Sequence, residues 1–222
     1  VDHAVDLQGN DDILCVTAPQ VVKKAHRAYL EAGADIIRTN TVRANPIVQG
    51  KFRLENMAYD IALAGARIAC ESIAEYNDDI LQCKTGKLGQ TLERKYVAGV
   101  MGPAEDSADV GFRELVDAYS EVVRGLLDGN ADILLLDSFR NLLNVKAALH
   151  AVFKVCSERQ ELVPVMVSGE IAEAGAGTLA GLTARAFLSS ALRDIFRYNT
   201  LALGSPTYNG GIFPAVEAFL QA

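Results

Sequence analysis

Residues 31–41, EAGADIIRTNT, and residues 127–139, LDGNADILLLDSF, repeat one local grammar. In each, a helix runs into a glycine, an Ala-Asp pair follows, and an aliphatic run begins that stops on polar residues. A short, continuously apolar run between helices marks a strand covered on its outer face, the habit of parallel sheets. The second run stops abruptly, at Asp137-Ser138. Either the sheet holds that acid up as a chemical group, or the acid only ends the strand and caps the helix beginning near Asn141.

The rest of the chain extends the pattern. From Thr17 a helix is expected, with Thr17 and Gln20 as a capping box and Pro19 in the first turn. Val22, Ala25, Tyr29 and Ala32 share one face of it, and Gly33 ends it. Further helices are expected near residues 53–76, 112–128, 141–158, 183–196 and 214–221. After the first strand at Ile36-Ile37, strands are expected at 96–101, 131–136, 163–167 and 200–203, each ending in small or polar residues. Residues 77–95 break the rhythm as an exposed excursion. No strand leads into a G-x-G-x-x-G turn, which removes the main sign of a dinucleotide fold. The pattern is that of an α/β protein: a parallel (β/α) barrel-type single domain over residues 1–222, with about five of the eight strands of a complete barrel. In such a barrel the strand C-termini line a shared mouth. Here they offer Asn40 and Thr41, Gly102 and Pro103, Asp137 and Ser138, then Ser168, Gly169 and Glu170.

Composition narrows the function. A net charge of −7 argues against a nucleic-acid partner, and no apolar run approaches the ~20 residues of a membrane span. Four scattered cysteines form no CxxC pair, so neither a disulfide framework nor a zinc knuckle is expected, and a cytoplasmic setting follows. Cys70 and Cys156 read as small core hydrophobes; His26 and His150 have no partner at helical spacing. Gly175-Ala176-Gly177 lacks the Lys of a phosphate-binding loop. The chain opens on Val1, which suggests a piece of something longer.

The segments AHRAYLEAGADIIRTNT (25–41), YVAGVMGP (96–103), ADILLLDSFRNLLNVKAAL (131–149) and VPVMVSGEIAEAGAGTLAGLT (163–183) together resemble the homocysteine S-methyltransferases. The pattern is nearest to the homocysteine-binding domain of cobalamin-dependent methionine synthase, over roughly residues 6–204. The resemblance implies a (β/α)8 barrel whose strands two to six are those seen here. The open sheet edges that remain would favour a homo-oligomer. It also implies methyl transfer to the homocysteine thiol in methionine biosynthesis, with a cysteine-held zinc making the thiolate and methylcobalamin as donor in the full enzyme. The family's ligand cysteines sit in a G-x-N-C and a G-G-C-C-G segment. Here Thr200 and Leu201 stand at the first, and Asn209-Gly210-Gly211-Ile212-Phe213 carries no cysteine, so no metal and no cofactor are expected in this chain. Asp137-Ser138 stands where the family has Glu-Thr, whose acid helps bind the amino group of homocysteine, and Arg38 stands where the family has an acid. The candidate substrate-binding residues are therefore Asp137, Ser138, Asn40, Thr41, Ser168 and Gly169, with no catalytic residue named. Two readings remain open: an impaired homocysteine methyltransferase, or a non-catalytic binding module on the same scaffold.

Overall fold

The structure, a computed structural model, describes residues 6–82, 93–104, 110–139 and 141–169, and the strand pair 207–208 and 211–212. In chain order the helices are α1 (Leu14–Thr17), α2 (Pro19–Glu31), α3 (Pro46–Gln49), α4 (Ala58–Leu81), α5 (Phe112–Asp128) and α6 (Leu142–Arg159). The strands are β1 (Ile36–Arg38), β2 (Tyr96–Met101), β3 (Ile133–Phe139) and β4 (Val165–Gly169), with a small antiparallel pair β5 (Thr207–Tyr208) and β6 (Gly211–Ile212).

The fold is α/β. A parallel four-stranded sheet runs β1-β2-β3-β4, and α4, α5 and α6 make the crossovers between successive strands. Alternation along the strands sorts their residues into two faces. Ile37, Val97, Leu134 and Leu136 join the main core with the helices. On the opposite, inner face Ala98, Val100 and Leu135 form a separate cluster with Val42 packed against it.

The repeated grammar has a hydrogen-bond cause. At the end of α2, Ala34 N donates to Tyr29 O at 3.0 Å, and at the end of α5, Ala131 N donates to Leu126 O at 3.1 Å. The end of α6 matches, with Glu161 N donating to Cys156 O at 3.1 Å. These are three copies of one Schellman cap, and each needs a left-handed residue just past the helix. That residue is Gly33 (φ 98°), Asn130 (φ 65°) and Gln160 (φ 55°). In the second copy the turn is therefore made by Asn130, not by the glycine stop expected at Gly129. Gly129 keeps an ordinary φ of −86° and is small for another reason: a Cβ there would lie 2.5 Å from the Ala66 Cβ. The Ala-Asp pair then stitches strand to strand. Asp132 accepts from Val97 N at 2.8 Å, and Asp35 pairs with Lys95 at 2.7 Å.

The abrupt stop at Asp137-Ser138 is a β-bulge. Leu136 pairs with Val167 and Phe139 with Gly169, so β3 spends three steps where β4 spends two. Ser138 absorbs the extra step at φ 60°. Simple alternation would put Phe139 on the inner face with Leu135 and Asp137. The bulge returns it to the helix side, where it is fully buried with its ring centroid 6.1 Å from that of Tyr119. Because a left-handed backbone costs a side chain about 1–2 kcal/mol, which Ser138 already bears and glycine escapes, Ser138→Gly is expected to raise stability by up to about that amount and β-branched Ser138→Val to lower it. Equal urea midpoints for the two variants would remove the bulge strain.

Other expectations are corrected. Thr17 does not cap α2. It closes the preceding turn, its hydroxyl donating to Ile13 O at 3.1 Å, and Ala18 is the cap residue. The buried stripe of α2 is Val22, His26 and Leu30, whereas Tyr29 is 66% exposed. Residues 77–81, expected to belong to an exposed excursion, are instead the last turns of α4, which continues to Leu81. Arg27 holds that extension, pairing with Asp79 at 2.6 Å and lying 5.2 Å over the Tyr76 ring. The β5–β6 pair falls between the strand expected at 200–203 and the helix expected at 214–221, where no element was expected. The strand expected at 200–203, the helices at 183–196 and 214–221, and the 175–177 glycine stretch lie outside the described residues. No helix among the described residues is long and apolar enough to cross a membrane.

Candidate site at the strand ends

The loop leaving β1 is fixed by two hydroxyls. Val100 N donates to Thr39 Oγ1 at 2.8 Å, and Thr41 Oγ1 donates to Val100 O at 2.7 Å. The Thr39 and Thr41 oxygens lie 2.6 Å apart. Since the Thr41 proton is committed to a carbonyl, Thr39 is the donor between them. The pair extends the β1–β2 ladder past the end of β1, and Thr41 is fully buried in doing so. Its neighbour Asn40 turns the other way: Asn40 Nδ2 donates to Asp11 O at 2.8 Å, tying the N-terminal segment to the loop. Val42 then crosses the end of β2, where its carbonyl accepts from Gly102 N at 2.9 Å. A Cβ on Gly102 would meet that carbonyl at 2.5 Å, so only glycine allows the crossing. Behind it, Ala104 N donates to Tyr119 Oη at 2.9 Å, and Tyr119 donates to Asn144 Oδ1 at 2.8 Å, anchoring the loop after β2.

Of the six candidate residues, the structure gathers Asp137 and Ser168 on the inner face at the strand ends, with Ser138 and Gly169 as backbone neighbours at the bulge. Asn40 and Thr41 serve the loop contacts just described. Asp137 does not cap α6; Asn141 does, its side chain accepting from Leu143 N at 2.7 Å. Asp137 instead forms an ion pair with Arg38, whose Nη2 donates to Asp137 Oδ2. The arginine side chain is 53% exposed and the aspartate side chain 13%, so solvent meets the cation and the acid sits beneath it.

Arg38 is the site residue that sequence reasoning noted but did not connect. Strand parity carried the signal. Arg38 shares the face of Ile36, and Asp137 shares the face of Leu135. The inward residues of the strand between them, Ala98 and Val100, are small enough to reach across.

A thiolate-type zinc centre needs several deprotonated thiols or imidazoles brought to one place. Cys15 is buried, its Sγ donating to Asn40 O at 3.2 Å, and burial pushes its thiol up to about 12. Cys70 faces the carbonyls of Gly129 and Asn130 at 3.5 and 3.3 Å, and burial raises its thiol as well. Cys156 lies near the end of α6, again with burial raising its thiol. A zinc ligand must be a thiolate and must have companions. These three thiols sit on separate elements, and among the described residues no three His, Cys, Asp or Glu side chains could hold a metal together. They do not fit such a centre. His26 is buried in α2, its Nε2 lacking a hydrogen-bond partner and its pKa lowered by burial, which suits a neutral core imidazole.

Helices covering one face of a parallel sheet, with an acid, an arginine and a serine at the strand C-termini on the other, make this an α/β protein of the parallel-sheet class. Within that class the chain belongs to the homocysteine S-methyltransferase family, which matches residues 2–204. The structure is similar to the homocysteine methyltransferase MmuM from Escherichia coli. The metallated form gives a TM-score of 0.65 at 18% identity, covering 86% of this chain and 65% of that one. The oxidised form gives 0.65 at 18%, covering 85% and 64%, and the apo form 0.59 at 16%, covering 84% and 62%. The chain thus spans just under two thirds of the length of these relatives, and at such identity the likeness is one of fold.

Proposed function

We propose that the chain is a homocysteine-binding domain of the methyltransferase type whose methyl-transfer chemistry is impaired. The sheet is read as part of a (β/α)8 barrel, β1 to β4 being its second to fifth strands, and residues 1–222 as one domain. The observation that carries the reading is the Asp137 carboxylate itself, on the inner face at a strand end just before the bulge at Ser138. There it suits the ammonium of an amino acid, and the Ser168 hydroxyl on the same face can take a further polar atom.

The donor set of the described residues is what supports the impairment in this reading. A thiol is mostly protonated near neutral pH and needs a metal or a base to become a nucleophile. The described residues assemble no thiolate cluster, and Asp137 is committed to Arg38. The second reading, a binding module without transfer chemistry, draws on that last contact.

Isothermal titration with homocysteine tests the binding. Loss of a charge-assisted contact predicts that Asp137→Ala weakens affinity by about 10-fold or more. Equal heats for both proteins, or none in either, would remove Asp137 from the site. Transfer from methylcobalamin to homocysteine is expected at the uncatalysed rate, and clear turnover would overturn the impairment.

A further inference from the structure

Asp137 already holds a cation. The guanidinium of Arg38 occupies the place that a ligand's ammonium would need. Apart from Tyr96 and Ser168, the other inward residues of the four strands are apolar, so this pair is the whole charge of the described sheet's inner face. The acid is nearly buried and the guanidinium half exposed, so any ligand reaching the acid meets Arg38 first.

We infer that Arg38 is a specificity-determining residue that makes the strand-end site select zwitterionic α-amino acids over simple amines. This rests on the reading of Asp137 as an ammonium acceptor. A plain amine has to displace the guanidinium and then leaves two cations over one carboxylate. An α-amino acid brings a second anion. Its ammonium takes Asp137 while its carboxylate takes the freed guanidinium, whose planar fork suits a carboxylate with two parallel hydrogen bonds. Two cations and two anions then balance on a face that, among the described strand residues, has no other charge to compensate. Arginine is the right side chain for this exchange: its long stem lets the head move, and its planar fork offers two parallel donors to a carboxylate.

The test is a set of amide chemical-shift titrations with three probes: homocysteine, 3-mercaptopropylamine, which lacks the carboxylate, and 4-mercaptobutyrate, which lacks the ammonium. The protein is expected to prefer homocysteine to 3-mercaptopropylamine by about tenfold or more. In Arg38→Gln that preference should collapse to within about threefold, the amine tightening and homocysteine weakening, while 4-mercaptobutyrate loses what binding it had. A preference unchanged in Arg38→Gln would overturn the inference and leave the homocysteine reading standing. If homocysteine bound neither protein while the amine bound only Arg38→Gln, the homocysteine reading would fail and the hold of Arg38 on Asp137 would stand. No binding of any probe to either protein would overturn both.

Discussion

Gly129→Ala is expected to destabilise the protein by about 2–3 kcal/mol, and Gly125→Ala by a similar amount. Helix propensity alone predicts the opposite sign for Gly125, which lies inside α5, because alanine in a helix interior is favoured over glycine by about 1 kcal/mol. Packing decides the matter. A Cβ at Gly125 would lie 2.6 Å from Tyr59 O and 2.8 Å from the Ala62 Cβ. One at Gly129 would lie 2.5 Å from the Ala66 Cβ and 2.9 Å from Leu63 O. The two glycines are one turn apart on α5 and face two alanines one turn apart on α4, so the helices meet almost backbone to backbone. None of these atoms ends a flexible side chain, and no rotamer change relieves the clash; the helices have to separate. Ala58, Ala62, Ala66 and Ala69 are all fully buried along the same stripe of α4, so separation opens a long seam and not one contact. Urea unfolding checks the sign directly, since a raised midpoint for either variant would mean that the helices do not approach so closely. The double variant Gly129→Ala with Ala66→Gly should recover part of the loss. It removes the nearest clash, and the Leu63 carbonyl remains to limit the recovery.

What could be read in advance follows the range of the physics. Four strands, their parallel order and the helices α2, α4, α5 and α6 were legible because buried aliphatic runs and helix stops are written in adjacent residues. The repeat at Ala-Asp was legible for the same reason, and the Schellman caps explain it. Features set by a neighbour distant in sequence were not. Gly129 looked like a turn glycine because the surface of α4 that demands it lies some sixty residues away. His26 belongs to the buried stripe of α2 at 5% exposure, yet a polar residue gives no apolar signal of it. The bulge at Ser138 could not be read because serine gives no sign of a left-handed backbone; the need to bury Phe139 against Tyr119 imposes it. At the candidate site, Asp137 was legible from its place at the end of an apolar run. Its partner was not, because Arg38 lies 99 residues away and only the sheet order brings the two together. Asn40 and Thr41 show the limit from the other side. Polar residues after a strand advertise a mouth, yet here their groups close a ladder and tie down a loop.

Asp12→Asn is expected to stabilise the protein by about 2–3 kcal/mol near pH 7.5 and to change little near pH 4. Asp12 is 4% exposed, and its carboxylate accepts from the backbone N–H of Arg43. Around it, Asn10 Nδ2 donates to Gln49 Oε1 at 2.8 Å and Gln49 Nε2 donates to Arg43 O at 2.9 Å, so the neighbouring polar groups are already engaged. Burial dominates and raises its pKa to about 6, with Asp11 adding to the rise and the Arg43 bond and charge opposing it. A raised acid pKa means that the folded state holds the proton more tightly than the unfolded state. Its contribution is therefore fully present below the ordinary carboxylate value of 3.8 and is lost as pH rises through about 6. A shift of that size corresponds to about 3 kcal/mol at neutral pH. Asparagine keeps an acceptor for Arg43 N and carries no charge to bury, so it escapes the penalty without emptying the site. Comparing urea midpoints of the two proteins from about pH 4 to about pH 7.5 isolates this group, because every other titration is common to both. The gap should open across that window. A gap that stays constant would mean that water reaches the carboxylate, and the knot joining residues 10–13 to the loop after β1 would be looser than its hydrogen bonds imply.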